Sequence, residues 1–412
     1  MNQLAKLNGF TLGINGVYQV GTDQRTFDYS DGESAEKQLF QILSTCDDLS
    51  SDSNELESHI VDWPTEYHLS SARSNLLRPL NFDGVTRVLE LGCGCGSITR
   101  FLGEQKGVQV DAIEGSPIRA GLASMRCHDL PNVSISTANF NDVEFPENHY
   151  DLVLFIGVTE YAGRFSDRET DQEALADLLN LGKRAANSEG ITIVAIENRL
   201  GLKYMLGANE DHYAQRYVGL ADYPNSTGIR TYSRDEWLKC TSMFKKTHFA
   251  YPFPDYKVPN VIVNETALSA DSVSIAGHLK QSCSRDYLSA FDLGDNEHEI
   301  WNGLLQANSF TNHANSFLLF LSDSTDAIAR LCDFKVAKYT PLELAYLDVT
   351  STSLSVEQHD QKRHEVEEHL NAQITELQSH SANLQAKVDL ISGSFGWRFL
   401  DSIRRLFGKN TI

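Results

Sequence analysis

Short apolar segments alternate with helical patterns through the middle of the chain. Runs rich in branched apolar residues predict buried strands at residues 88–91, 108–113, 133–137, 150–156, 190–196 and 261–263. Apolar residues at helical spacing lie between these runs, at 97–102, 118–127 and 173–186. Strands that alternate with helices at this pitch predict an α/β fold with a Rossmann-like, doubly wound and mostly parallel sheet.

The flanking segments follow other patterns. A strand at 17–20, a helix at 35–43 and a further helix that begins at Ser70 or Ser71 are predicted before the α/β segment. The whole pattern divides the chain into an N-terminal arm (1–65), the α/β domain (66–260), a smaller accessory α/β unit (261–350), a coiled coil (351–391) and a basic amphipathic helix (392–412).

Two periodic patterns support the C-terminal predictions. The heptad a and d positions carry Leu370, Ile374, Leu377, Leu384, Val388 and Ile391. This favours a parallel two-stranded coil and hence a homo-oligomer, with a single helix folded back on the body as the alternative. From 395 to 407 one helix face is apolar and the other is basic, as in helices that bind anionic membranes. Packing into a protein core is the competing interpretation.

The composition of the chain argues against several classes of substrate and site. The formal net charge of −21 argues against a nucleic-acid substrate, because phosphate binding depends on clustered Lys and Arg. The seven cysteines form no C-x-x-C pair and no metal-ligand spacing with His, so we expect reduced thiols and no metal site. Neither a membrane-spanning apolar run nor a signal-peptide pattern occurs, which predicts a cytoplasmic protein.

The stretch from 87 to 102 reads RVLELGCGCGSITRFL and combines a strand, a glycine turn and the start of a helix. Glycines let a ligand approach the backbone, and a helix N-terminus offers it free N–H groups. The dinucleotide pattern G-x-G-x-x-G is not met, because Ser97 stands where its third glycine should be. A nicotinamide enzyme is therefore disfavoured.

Polar residues and glycines follow the predicted strands at their carboxyl ends. Glu114 comes 22 residues after Gly92, the spacing at which a carboxylate meets the ribose of a nucleotide. Other strand ends carry Asn139, Gly157, Glu160 and Glu197. Since sheets of this type bind ligands at the carboxyl ends of their strands, these residues are predicted to converge on one site.

The spaced run of Glu90, Gly92, Gly94 and Gly96 resembles motif I of the class I S-adenosylmethionine-dependent methyltransferases. From residue 66 to about 259 the chain resembles the methyltransferase unit of bacterial surface-polysaccharide (O-antigen and capsule) gene clusters. The matching stretches are YHLSSARSNLLRPL (67–80), VLELGCGCGSITRFLGE (88–104), AIEGSPIRA (112–120), NFNDVEF (139–145), FIGVTEYAGRF (155–165), AIENRLGLKYMLGANEDH (195–212) and YPFPDYKVP (251–259).

This resemblance implies S-adenosylmethionine as the cofactor and a sugar hydroxyl of a glycan or glycolipid as the methyl acceptor. It also implies glycosyltransferases as partners and a place on the cytoplasmic face of the inner membrane. The cofactor-binding residues that it implies are Tyr67, Arg73, Glu90, Gly92, Cys93, Gly94, Gly96, Glu114, Asn139, Phe140 and Gly157. Among them, Glu114 would bind the ribose, whereas Asn139 and Phe140 would flank the adenine.

A sugar hydroxyl must lose its proton as it is methylated, and a positioned base takes that proton. The catalytic candidates are His212, Glu197 and Glu160, which follow predicted strands. A merely solvated loop is the alternative for His212. Three other functions stay open: methylation of a terminal phosphate, in which Arg199 and Lys203 would matter more, methylation of an unrelated small molecule, and a non-catalytic coiled-coil scaffold.

Overall fold

The computed structural model describes residues 3–19, 32–268, 272–280, 284–287 and 297–340, all within one compact unit, Met1–Tyr346. The predicted coiled coil (351–391) and amphipathic helix (392–412) lie outside the described residues. None of the helices in the described part combines the length and the apolar composition that a membrane span requires.

The described strands form one sheet. They are β1 (Thr11–Leu12), β2 (Tyr18–Gln19), β3 (Arg87–Leu91), β4 (Gln109–Glu114), β5 (Val133–Thr137), β6 (Tyr150–Ile156), β7 (Ala186–Glu197), β8 (Lys246–Phe253), β9 (Val261–Asn264), β10 (Ser316–Ser322) and β11 (Val336–Lys338). Their order is β1-β2-β5-β4-β3-β6-β7-β10-β8-β9-β11. The five strands from β5 to β7 are mutually parallel. Because β10 is antiparallel to both β7 and β8, β8 runs in the direction of β7.

Helices connect the strands. They are α1 (Gln3–Leu7), α2 (Glu33–Thr45), α3 (Asn54–Glu57), α4 (Trp63–Leu69), α5 (Ser97–Gly103), α6 (Pro117–Arg126), α7 (Asp171–Ala185), α8 (Leu202–Met205), α9 (Arg234–Cys240), α10 (Glu265–Leu268), α11 (Ser272–Leu279), α12 (Glu297–Gln306), α13 (Phe310–His313) and α14 (Thr325–Leu331). Short 3-10 helices span Ser71–Leu76, Phe140–Asp142 and Thr159–Tyr161. The predicted Rossmann-like α/β fold is confirmed.

The sheet separates two hydrophobic cores. Along β10, Phe317 and Leu319 belong to one core, whereas Leu318 and Phe320 belong to the other. Both sets are fully buried, because successive side chains of a strand point to opposite faces and helices cover both faces. This burial on both sides explains why the central strands read as continuous apolar runs in the sequence.

The predicted helix near residue 70 begins earlier than expected and is interrupted. Asp62 caps α4, since its Oδ1 accepts from the N–H of Thr65 at 2.9 Å, and Pro64 occupies the first turn. After α4 ends, the Oγ of Ser70 accepts from the N–H of Ala72 at 3.1 Å and starts a separate 3-10 helix. The predicted cap at Ser70 is therefore present, but it caps a different element.

The predicted boundary at residue 260 falls inside the sheet. Strand β10 pairs with β7 on one side and with β8 on the other. Strands β9 and β11 extend the same sheet at its edge. Residues 261–340 therefore contribute strands to the sheet of the α/β domain.

Candidate active site

A cavity of about 320 Å³ opens at the carboxyl edge of the sheet. The chain continues from β3 to β4 on one side and from β6 to β7 on the other, so the strand order reverses between β3 and β6. This reversal is the position at which open α/β sheets bind ligands. Of the predicted site residues, those that line the cavity are Tyr67, Arg73, Glu90, Gly92, Cys93, Gly94, Glu114, Phe140, Gly157 and His212.

The glycine loop after β3 forms one wall of the cavity. Gly92 and Gly94 line it with positive φ angles of 77° and 56°. A Cβ at Gly92 would lie 2.4 Å from a methyl carbon of Val158, so the loop excludes any larger residue there. Gly96 does not line the cavity, because it packs against α6, where a Cβ would lie 2.8 Å from the Cα of Ala123. Gly96 therefore has a packing role, and its predicted contact with a cofactor stays untested.

Glu114 holds the glycine loop at the end of β4. Its Oε2 accepts from the N–H of Gly94 at 2.8 Å, and its Oε1 accepts from the N–H of Ser116 at 3.0 Å. Each carboxylate oxygen has a further lone pair. The side chain therefore presents a fixed acceptor pair to the cavity where the ribose contact was predicted.

Glu90 is a buried acid that faces the cavity from β3. Its Oε2 accepts from the hydroxyl of Thr99 at 2.7 Å. Burial raises the pKa of Glu90 to about 7, and Glu114 adds to this, whereas Thr99 and Arg73 act in the opposite direction. A cationic ligand group beside Glu90 would stabilise its charged form.

Arg73 joins two walls of the cavity. Its Nη1 donates to the carbonyl oxygens of Tyr256 at 3.2 Å and Lys257 at 2.6 Å. Its Nη2 donates to the hydroxyl of Tyr67 at 3.2 Å, and its guanidinium lies 4.4 Å from the centre of that ring. The guanidinium thus ties the 3-10 helix after α4 to the segment after β8, and a contact with a cofactor carboxylate stays a prediction.

The wall after β5 differs from the prediction by one residue position. Phe140 lines the cavity as predicted, but Asn141 takes the place of Asn139. Asn139 instead caps the 3-10 helix, because its Oδ1 accepts from the N–H of Asn141 at 3.1 Å. Asn139 therefore shapes this wall through the backbone.

The three predicted catalytic residues come together beside the cavity. One carboxylate oxygen of Glu160, one of Glu197 and one ring nitrogen of His212 lie within 4.8 Å of one another. We call these three residues the acidic cluster. Only His212 lines the cavity, whereas Glu160 and Glu197 are 2 % and 0 % exposed.

Carboxylates surround the ring of His212. Its Nδ1 lies 3.0 Å from Oε1 of Glu210, and its Nε2 lies 3.7 Å from Oε1 of Glu160. Burial alone lowers the pKa of His212, but Glu160, Glu210 and Glu197 raise it well above its ordinary value. The surrounding carboxylates therefore favour the charged form of His212, and its role as a catalytic base stays a prediction.

A buried ion network adjoins the acidic cluster. Oδ2 of Asp211 accepts from Nζ of Lys203 at 2.9 Å, from Nζ of Lys257 at 3.2 Å and from the hydroxyl of Tyr204 at 2.6 Å. Burial raises the pKa of Asp211, but the two ammonium groups outweigh it and hold that pKa well below its ordinary value. Lys257 also donates to Glu197.

Tyr256 and Lys257 line the cavity and were missed as site residues. They follow β8, which was not predicted as a strand. Because β8 is parallel to β7, its carboxyl end reaches the same edge of the sheet as the other site residues. Recognition of β8 from its aromatic residues would have placed both residues in the site.

The chain was compared with known proteins. Residues 88–181 match the family model described as a methyltransferase domain. No curated protein matches the chain. Matching solved structures include phosphoethanolamine N-methyltransferase 2 of Haemonchus contortus, with 16 % identity over 58 % of this chain and 50 % of that chain and a TM-score of 0.34. CcbJ methyltransferase of Streptomyces caelestis is 21 % identical over 32 % of this chain and 50 % of that chain, with a TM-score of 0.26.

A further match is the StiE O-methyltransferase domain, with 18 % identity over 63 % of this chain and 77 % of that chain and a TM-score of 0.32. The chain spans about half the length of the first solved structures that it matches. These similarities assign no substrate to the chain. The family match covers β3 to α7, which carry the glycine loop and Glu114. Residues 88–181 therefore resemble a methyltransferase domain.

Proposed function

We propose that the protein is a class I S-adenosylmethionine-dependent methyltransferase that methylates a sugar hydroxyl of a bacterial surface glycan. The match of residues 88–181 to a methyltransferase domain is the observation that carries this proposal. The cavity at the strand reversal supports it, because the glycine loop and His212 of the acidic cluster both line it.

The residues at the cavity fit the cofactor. Gly92 and Gly94 leave the backbone accessible, and Glu114 offers two carboxylate oxygens for the ribose hydroxyls. The Oγ of Ser97 is buried and has no hydrogen-bond partner among the described residues, so a ligand group can bind it. Glu90 provides a negative charge for a cationic group. The volume is also at the lower end of the roughly 300–1,000 Å³ typical of ligand sites.

When bound, S-adenosylmethionine supplies a methyl group that its sulfonium has already activated. The residues of this chain then align the acceptor oxygen, which is the main task in such a transfer. His212, Tyr161 and Tyr256 line the end of the cavity where the acceptor would lie. The acidic cluster next to them takes up the proton that the hydroxyl loses.

A neutral hydroxyl fits the acceptor end better than a phosphate. Lys203 and Lys257 are already bound to Asp211, and Lys257 also to Glu197. Arg199 is bound to Glu236 and does not line the cavity. Unless a cation is bound beside it, a phosphate placed here would face several buried carboxylates, and the two lysines described there are already paired, so its burial is costly in free energy.

The setting of the reaction is part of the proposal. We place the protein in the cytoplasm, at the inner face of the membrane where glycans are assembled, with glycosyltransferases as partners. A glycan or glycolipid acceptor is consistent with an acidic chain that carries a formal charge of −21 and lacks a nucleic-acid signature. The sequence pattern of residues 392–412 supports the membrane contact.

The test has two parts. Calorimetry should show that S-adenosylmethionine binds with one site per chain. Mass spectrometry should then show a methyl group on the surface glycan of the source organism and its loss when the gene is deleted. A glycan of identical mass in both strains would exclude this acceptor, and a chain that does not bind the cofactor would exclude the whole proposal.

A further inference from the structure

We propose that the acidic cluster is a binding site for a divalent first-row cation, with Glu160, Glu197 and Nε2 of His212 as its protein ligands. The site deepens the proposed function and rests on it, because it lies at the acceptor end of the same cavity. No metal was expected from the sequence, since the ligands come from distant segments: Glu160 from a 3-10 helix, Glu197 from the end of β7 and His212 from the loop after α8.

The three ligand atoms lie close together, and the separation between the ligand atoms of His212 and Glu160 suits a small cation. They lie within 4.8 Å of one another, and Nε2 of His212 lies 3.7 Å from Oε1 of Glu160. That distance is too long for a hydrogen bond. Two atoms that each lie about 2.1 Å from a common ion are separated by roughly 3 to 4 Å, so the gap accommodates a cation.

Two carboxylate oxygens beside this gap lack partners. Oε2 of Glu160 and Oε2 of Glu197 are buried and make no hydrogen bond within the part of the chain that the structure describes. Their residues are 2 % and 0 % exposed, so water does not satisfy them from bulk solvent. A buried carboxylate oxygen without a donor is costly, and a bound cation removes that cost.

The second ring nitrogen of His212 is arranged as in metal sites. Nδ1 lies 3.0 Å from Oε1 of Glu210, whose other oxygen accepts from the N–H groups of His212 at 2.8 Å and Tyr213 at 2.9 Å. The hydroxyl of Tyr223 donates to Glu210 as well. A carboxylate that binds one imidazole nitrogen fixes the ring so that the other nitrogen can bind a metal.

The local charge also favours a cation. Around the gap lie five carboxylates, those of Glu160, Glu197, Glu210, Asp211 and Asp255, each 7 % exposed or less in its side chain. The ammonium groups among them are those of Lys203 and Lys257. A dication offsets most of the remaining negative charge.

Imidazole and carboxylate ligands together suit Mn²⁺, Fe²⁺ or Zn²⁺ better than Ca²⁺, which prefers oxygen ligands alone. Three protein ligands leave coordination positions open, and His212 lines the cavity on that side. The acceptor hydroxyl can bind at an open position. The cation would thereby fix the oxygen that receives the methyl group and would make its hydroxyl more acidic. With the cation bound, its three ligands would not take up the proton themselves, and the proton would pass to water in the cavity.

Mn²⁺ serves as the probe, because its electron paramagnetic resonance signal falls when it binds. We expect the metal-stripped full-length protein to bind one Mn²⁺ per chain. Glu160→Gln and Glu197→Gln keep the side-chain volume and should each weaken binding at least tenfold. Glu210→Gln should weaken it by about 10- to 100-fold through the ring orientation. Glu147→Gln, which changes an exposed carboxylate, is the control and should bind like the wild type.

Thermal unfolding of each variant shows whether it is folded before binding is compared. If the wild type binds neither Mn²⁺ nor Zn²⁺ at millimolar concentration, the site does not exist. Equal binding of Mn²⁺ by the wild type, Glu160→Gln and Glu197→Gln would likewise overturn the proposed cation site. Methyl transfer that continues at full rate after removal of all metal would overturn the catalytic use of the cation but leave the proposed methyltransferase intact.

Discussion

Single residues fix the shape of the cavity through contacts that allow no substitution. Gly92 and Gly157 have positive φ angles, and a Cβ on either would overlap a side chain from another element, Val158 in the first case and Tyr256 in the second. The sequence identified both glycines by their position after strands. It could not separate cavity-lining glycines from the packing glycine at position 96, because that distinction depends on where α6 lies.

Gly96 and Gly84 provide a matched pair for this distinction. Their φ angles are 84° and 85°, but a Cβ would meet Ala123 at position 96 and nothing within 4 Å at position 84. Both Gly→Ala variants incur the left-handed backbone cost of about 1–2 kcal/mol. Gly96→Ala should lose about 1–3 kcal/mol more in the free energy of unfolding, because it overpacks the contact with α6. Equal losses in urea denaturation would contradict the packing role.

The raised pKa of Glu90 predicts that the stability of the folded protein depends on pH. Its pKa is about 7 in the folded protein against an ordinary value of 4.5, so the folded state binds more protons than the unfolded state between these pH values. Wild-type stability therefore falls as pH rises from about 4.5 to 7. Position 90 does not titrate in Glu90→Gln, so the wild type loses this stability as pH rises whereas the variant does not. The free energy of unfolding of the variant minus that of the wild type should therefore rise by up to about 3 kcal/mol across this window.

Urea denaturation at pH 5 and pH 8, without cofactor, measures this difference. Glu147→Gln removes one formal charge from the exposed surface and controls for the net charge of the chain. A Glu90→Gln variant that shows the same offset from the wild type at both pH values would contradict the assignment of a raised pKa to Glu90.

At the scale of elements, β10 connects the accessory region to the site. It lies between β7, which ends at Glu197, and β8, which leads to Lys257. Just before β10, Asn315 accepts from the N–H of Lys203 at 3.0 Å and donates to the carbonyl of Pro254 at 3.1 Å. One buried side chain therefore holds together the segments that carry the ion network.

Asn315→Ala leaves these buried partners unsatisfied. We expect the free energy of unfolding to fall by about 2–4 kcal/mol, since each unpaired buried polar group costs about 1–3 kcal/mol. Asn312→Ala, three residues earlier on an exposed position, should change it by less than about 0.5 kcal/mol. Similar effects of the two substitutions in urea denaturation would show that Asn315 does not connect these segments.

The elements most visible in the sequence were those buried on both faces. The bounds of β5 and β6 agree with the predicted strands, because β5 alternates apolar and small polar residues, β6 carries five consecutive apolar residues, and turn residues follow both. Strand β8 was missed, since its Lys, Thr, His and Pro residues break the apolar pattern. The predicted helix after Ser70 became a 3-10 helix because Asp62 and Pro64 start α4 upstream.

At the scale of the whole molecule, the topology could be predicted but the pairing of charges could not. Strand alternation places Glu114, Glu160 and Glu197 at one edge of the sheet, as expected from the sequence. The approach of Lys257 to Glu197 depends on loops of irregular length. Sequence patterns carry no information on such contacts, so a cluster of carboxylates was anticipated without its counter-ions.

The C-terminal prediction is tested on the full chain. If residues 392–412 form a basic amphipathic helix, deletion of 394–412 should abolish sedimentation of the protein with vesicles that contain anionic lipid, and raised salt should weaken binding of the intact chain. Neutral vesicles are the control. Equal sedimentation of the intact and shortened chains would remove the membrane contact from the proposal.

The central claim is that the cavity between the glycine loop and the acidic cluster holds the cofactor. The most direct test is a crystal structure of the full chain with S-adenosylhomocysteine. We expect the ribose at Glu114, the adenine beside Phe140 and the sulfur directed toward His212. A product bound elsewhere, or a cavity that stays empty at saturating concentration, would contradict the account.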